Sequence, residues 1–147
     1  MRICGRNGRI LCISCPTVYR KLKQLNCPLE TKLLEYDKRF SAFGEDFVFY
    51  DYNRPLCIPQ AILQSDVVIA DPPFLSTDCI AKVSETIKKI APKFIILCTG
   101  AVMESDIHKF LGLKLSKFEP AHTRHLGNKF RCFSNYDLDQ GPFAQNV

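Results

Sequence analysis

The sequence predicts an α/β protein: a mostly parallel sheet of seven strands, helices on both faces, and an antiparallel last strand. Three observations predict it. Short apolar runs, too short for helices, alternate with amphipathic stretches of helical period through the first two thirds of the chain. One of these runs, Asp66-Val67-Val68-Ile69-Ala70, is apolar at every position after the first, as a strand buried on both faces must be. The final two strand-like segments are joined by a polar loop without a helix, which calls for an antiparallel insertion. The chain of 147 residues fits one domain with a sizeable core. That core is expected over about 8–137, with a disordered tail over 138–147.

Taken in order, Arg9–Ser14 is the first buried strand and Cys15-Pro16 its turn. Thr17 is placed to cap a helix through Val18, Leu22 and Leu25. Thr31–Glu35 and Phe47–Tyr50 read as the second and third strands, separated by a loop or short helix broken at Gly44. A short helix at Ala61–Leu63 precedes the Asp66–Ala70 strand. Ser76 or Thr77 caps a helix whose core face is Ile80, Val83, Ile87 and Ile90, stopped by Pro92. Phe94–Cys98 is the fifth strand, Glu104–Leu111 a helix ended by Gly112, and Leu113–Phe118 an alternating, half-buried strand. After a polar loop, Phe130–Tyr136 is the last strand. Arg9–Ser14 and Asp66–Ala70 are expected as central neighbours.

Composition narrows the function. The net charge of +5 is scattered, without a long basic run, so nucleic-acid binding is permitted but not indicated. No segment reaches membrane-spanning length and no secretory leader is visible, so no membrane partner is expected and the chain reads as intracellular. The eight cysteines sit mostly in apolar segments and read as reduced, metal-free thiols. Cys12-x-x-Cys15 has no second pair and no histidine at zinc-finger spacing.

The chemistry gathers where the fourth strand stops. Pro72 and Pro73 cannot continue a ladder, so the strand ends at Asp71. A carboxylate, proline carbonyls and the Phe74 ring then stand at the carboxyl edge of a central strand, where open α/β sheets bind ligands. Asp71-Pro72-Pro73-Phe74 resembles the motif of amino-group methyltransferases that use S-adenosylmethionine. An acid oxygen and a proline carbonyl can accept the two N–H bonds of an amine and aim its lone pair, while the ring covers it. Methyl-donor sites also need a backbone turn after the first strand, offered by Ser14-Cys15-Pro16-Thr17 without the usual glycines. Glu35 or Asp37 suits the ribose hydroxyls, and Asp51 the adenine. His122, Arg124 and Asn128 lie in the loop before the last strand and are candidates for a substrate-contacting rim.

Several segments together resemble the elongation factor 1-alpha lysine methyltransferase family, earlier described as N6-adenine-specific DNA methyltransferase 2. They are Glu35–Phe40, Phe49–Asn53, Asp71–Ser76, Leu97–Ala101, His122–Arg124 and Phe130–Cys132. The resemblance runs from about Gly8 to Tyr136. It implies a Rossmann-like class I methyltransferase fold, S-adenosylmethionine as cofactor, and a lysine of elongation factor 1-alpha as acceptor, in the cytoplasm; a monomer is expected. It also implies that Phe74 stands where the family has Tyr, and that the chain corresponds to a form lacking the family's N-terminal segment. Three other readings compete: an adenine methyltransferase with the same amine cradle, a thiol oxidoreductase built on Cys12 and Cys15, and a non-catalytic methyltransferase fold.

Overall fold

The structure is a computed structural model and describes residues 7–121 and 129–140. Among them, β1 (Arg9–Ile13), β2 (Glu30–Glu35), β3 (Phe47–Phe49), β4 (Val67–Ala70), β5 (Phe94–Gly100), β6 (Lys114–Leu115) and β7 (Phe130–Ser134) form one sheet in the order β3-β2-β1-β4-β5-β7-β6. The first five strands are parallel, and β7 inserts antiparallel between β5 and β6. Strands β1 and β4 are neighbours at the sheet's centre, Ile10 beside Val67 through Ile13 beside Ala70. Their uniform apolar character requires this, because only central strands are covered on both faces.

Alternation along each strand divides the core in two. Leu11, Ile13, Leu34, Val68 and Leu97 pack toward α2 (Thr77–Ile90) and α3 (Glu104–Leu111), against Ile80, Val83, Ile87 and Ile107. Ile10, Cys12, Leu33 and Val67 pack on the other face with Tyr19 of α1 (Pro16–Gln24). In α2 the Ser76 hydroxyl accepts the Cys79 amide at 3.2 Å, and Ala91 closes the helix in the left-handed conformation. Helix α1 starts one residue before the expected Thr17 cap. Pro16 is its first residue, where a missing N–H costs nothing, and Cys15 is the flanking residue.

Three strand ends differ from the sequence reading by two residues or more. The alternating segment at 113–118 pairs only at Lys114–Leu115, because the Lys117 amide is taken by the Asp139 carboxylate at 3.0 Å. Strand β5 runs two residues further than expected, to Gly100, since β7 continues to pair with it there. The last strand stops at Ser134: Asn135 turns aside, accepts the Ile95 amide at 2.8 Å and donates to the Lys93 carbonyl at 3.0 Å. Residues 138–140 form a turn in which the Asp137 carboxylate accepts the amides of Asp139 and Gln140.

Candidate active site

Because β1 to β5 are parallel, their carboxyl ends share one edge, and the ladder continues briefly past each end. The Ser14 amide donates to the Leu34 carbonyl at 2.8 Å, Asp71 to Ile13 at 3.0 Å, and Tyr50 to Glu35 at 3.0 Å. Ser14, Glu35 and Asp71 are thereby fixed on adjacent strand ends, with Asp51 directly after Tyr50. Ser14 has φ of 56°, a left-handed conformation that a non-glycine residue adopts at some cost. The turn that lacks glycine therefore achieves a glycine-like backbone with serine. Pro16, half-buried, fixes the first helical residue behind it.

The acids have different commitments. Glu35 accepts the amides of Tyr36 and Asp37 at 3.1 and 3.2 Å, both on Oε1, so Oε2 lies outside these bonds. Asp37 is engaged on both oxygens: Arg39 Nε and Nη2 clamp it at 2.6–3.0 Å, and its Oδ1 also accepts the Arg39 amide. The Arg39 hydrogen bonds hold the Asp37 carboxyl below its usual range. Asp51 accepts the Asn53 amide at 2.9 Å through Oδ1, closing a turn after β3.

Four aromatic rings line this edge, and the sequence reading singled out only Phe74. Tyr36 and Phe49 are 65% and 45% exposed, with ring centroids 5.6 Å apart. With Asp37 and Lys38 they line an open hollow of about 510 Å³. Phe74 is 57% exposed and lies 5.8 Å from the Tyr52 ring. Lys82 Nζ, held by Asp78 at 2.8 Å and Asn53 at 3.0 Å, sits 5.7 Å from the Tyr52 ring centre. The signal available for Tyr36 and Tyr52 was position alone: each follows an acid at a strand end.

Asp71 is half-buried between two thiols, after which Pro72 is buried and Pro73 exposed. Cys15 is pushed well above the usual thiol range, first by its hydrogen bond with Cys12, then by burial, with the Asp71 charge adding. Cys98 is raised by its hydrogen bond with Cys132, then by burial, and again by Asp71. The Cys15 thiol donates to the Ile69 carbonyl at 3.4 Å. Cys12 and Cys15 are 0% and 5% exposed. A redox motif requires a reachable thiolate, so this pair does not support the oxidoreductase reading. His122, Arg124 and Asn128 lie outside the described residues. Among the described residues no three His, Cys, Asp or Glu side chains gather as a metal would need, and no helix is long and apolar enough to cross a membrane.

The strand order, the acids at one edge and the Asp-Pro-Pro-Phe corner define a class I methyltransferase fold. A TehB-like SAM-dependent methyltransferase from Corynebacterium glutamicum shares it, with a TM-score of 0.57 over 88% of this chain and 79% of that one, at 15% identity. The family described as probable N6-adenine methyltransferase matches residues 2–138. EEF1A lysine methyltransferase 1 of Danio rerio is 50% identical over 139 residues, covering 90% of this chain and 84% of the relative. The Homo sapiens protein of that name is 51% identical over 143 residues, covering 93% of this chain. This chain belongs to that family, and it spans 66% of the length of the human relative.

Proposed function

We propose that this chain is an S-adenosylmethionine-dependent protein-lysine N-methyltransferase acting on translation elongation factor 1-alpha, in the cytoplasm where that factor works. The observation that carries the reading is the placement of Asp71. It is fixed by its amide to Ile13, directly followed by the Pro72-Pro73-Phe74 corner, and shares an edge with Glu35 and Asp51.

The residues present fit the cofactor. Glu35 keeps Oε2 outside its own turn and can accept both ribose hydroxyls, whereas Asp37 is clamped by Arg39. Asp51 suits the adenine amine, Tyr36 and Phe49 offer ring faces beside it, and the left-handed Ser14 with Pro16 opens backbone toward the methionine part. When bound, S-adenosylmethionine supplies an electrophilic methyl group on a sulfonium.

The chain's own residues then hold and aim the amine. Asp71 and a carbonyl of Pro72 or Pro73 accept its N–H bonds, which directs the lone pair, and Phe74 with Tyr52 behind it packs against the lysine stem. A lysine at pH 7.4 must first lose a proton, at a cost of about 4 kcal/mol from its ordinary pKa of ~10.4. Asp71 favours the ammonium, so its service is orientation; the exposed apolar surface of Pro73 and Phe74 works against the charged form. His122, Arg124 and Asn128 are assigned to the substrate rim on sequence alone.

The test is tritiated methyl transfer to elongation factor 1-alpha, with adenine-containing DNA in parallel. Asp71→Ala and Asp71→Asn are expected to lower turnover by about two orders of magnitude or more while cofactor affinity stays within a few-fold. Near-parental rates in both variants would show the cradle misassigned. Label in DNA alone would replace lysine with adenine as the acceptor.

A further inference from the structure

Cys98 of β5 and Cys132 of β7 stand directly opposite each other on antiparallel strands. Their rung is of the closer kind. The Cys132 carbonyl accepts the Ser116 amide at 2.9 Å on the β6 side, while the Ala101 amide donates to the Lys129 carbonyl at 2.7 Å. The N–H and C=O of Cys132 therefore point away from β5, and the pair occupies a non-hydrogen-bonded rung. At such rungs the Cα atoms are about 4.5 Å apart and the side chains are closest, just inside the ~4.4–6.8 Å that a disulfide spans. Both thiols are free, Cys132 is 1% exposed, and Cys98 is half-buried and gives access from solvent.

The same rung leads to the acceptor site. Strands β4 and β5 pair from Val67 beside Phe94 to Ala70 beside Leu97, so the next step places Asp71 alongside Cys98. Two residues beyond Cys98, Gly100 carries no side chain because Leu75 packs on it; an added Cβ would lie 2.9 Å from Leu75 Cδ2. Leu75 directly follows Phe74. A change in the spacing of β5 and β7 at Cys98 is thus passed to Asp71 on one side and to the Phe74-Leu75 turn on the other.

We propose that Cys98 and Cys132 form an oxidisable dithiol beside the acceptor carboxylate, closed reversibly by a peroxide to a disulfide that brakes methyl transfer. Its chemistry is balanced by the oxidant. Hydrogen peroxide takes two electrons from one sulfur, giving a sulfenic acid and one water. The second thiol attacks that sulfur, the S–S bond forms, and a second water leaves. A thiol reductant reopens the bond by exchange through a mixed disulfide at the half-buried Cys98, as reversibility requires. The shared hydrogen bond that raises Cys98 lowers Cys132 below the usual thiol range, so the pair holds one thiol that ionises more readily than the other.

The modification is tested on the full chain independently of activity. After peroxide, alkylation and non-reducing digestion, mass spectrometry is expected to find Cys98 and Cys132 in one linked peptide, lost on reduction and absent from Cys132→Ser and Cys132→Ala. A linkage elsewhere, or only alkylated thiols, overturns the dithiol. The brake rests on the proposed lysine methylation: transfer should fall about tenfold on oxidation, return on reduction, and resist peroxide in a folded Cys132 variant. A linked peptide with unchanged transfer overturns the brake alone. Reduced protein that transfers no methyl overturns the proposed methylation, and with it the brake, and leaves the dithiol to the peptide map.

Discussion

Glu35 and Asp37 carry the same charge two residues apart, and only their hydrogen bonds separate them. Asp37 gives both oxygens to Arg39, whereas Glu35 spends one oxygen on its own turn. A carboxylate accepting ribose hydroxyls makes charge-assisted bonds worth roughly 1.5–3 kcal/mol. Glu35→Ala is therefore expected to weaken S-adenosylmethionine binding about ten- to a hundredfold by calorimetry, and Asp37→Ala by no more than a few-fold. The opposite order would move the ribose to Asp37. The candidate acids were legible in the sequence because a charged residue directly after a buried strand stands out. The choice between them was not, since it depends on an arginine that folds back through a turn. Ser14 was legible as a position but not as a left-handed residue, because serine does not announce that conformation as glycine does. Tyr36 and Tyr52 escaped because an aromatic beside a strand usually signals core; Tyr36 is instead 65% exposed, and the half-buried Tyr52 is marked by its contact with the Phe74 ring.

Helix α2 is legible in the sequence almost whole. Its expected core face of Ile80, Val83, Ile87 and Ile90 is at most 1% exposed, and the expected serine cap is made. Ser76→Ala should cost about 1 kcal/mol by leaving a helix-end amide unpaired, lowering the thermal midpoint by roughly 2–4 °C. The other end offers the reverse change. Ala91 is exposed with φ of 53° and ψ of 53°, so Ala91→Gly relieves a left-handed alanine and is expected to gain about 0.5–1 kcal/mol. A midpoint lowered by Ala91→Gly would mean that the backbone entropy of glycine outweighs the relief. Strand β6 was the weaker reading for a physical reason. Alternation at 113–118 specifies a half-buried surface, but the length of pairing depends on a partner, and Asp139 removes the Lys117 amide from the ladder.

The fold separates the two edges of its sheet: the candidate cofactor acids stand at the carboxyl ends of the strands, and a structural acid ties the amino ends together. Asp66 Oδ2 accepts the Arg9 amide at 2.9 Å, its own amide donates to the Arg9 carbonyl, and its carbonyl accepts the Phe94 amide. One residue thus joins β1, β4 and β5 on the side away from the site. The Arg9 amide, helped by Lys93 at 3.4 Å, holds the Asp66 carboxyl below its usual range. Asp46 is also held down, against the burial that opposes it, by hydrogen bonds from Lys23 and Tyr19. A depressed carboxyl contributes stability that is complete above its unfolded pKa of ~3.9 and is lost as pH falls through the lower folded value. Urea unfolding of the parent should therefore show stability declining steadily as pH drops below about 5. Asp66→Asn removes the titrating group but keeps an oxygen for the Arg9 amide. The variant is expected to be less stable than the parent at pH 7, to lose less on acidification, and to approach the parent at the lowest pH. Its S-adenosylmethionine affinity should match the parent's, because Asp66 and Asp71 lie at opposite ends of β4. Parallel pH profiles for the two proteins would mean that Asp66 titrates alike in the folded and unfolded chains. A loss of cofactor affinity in the variant would mean that the two edges are not independent.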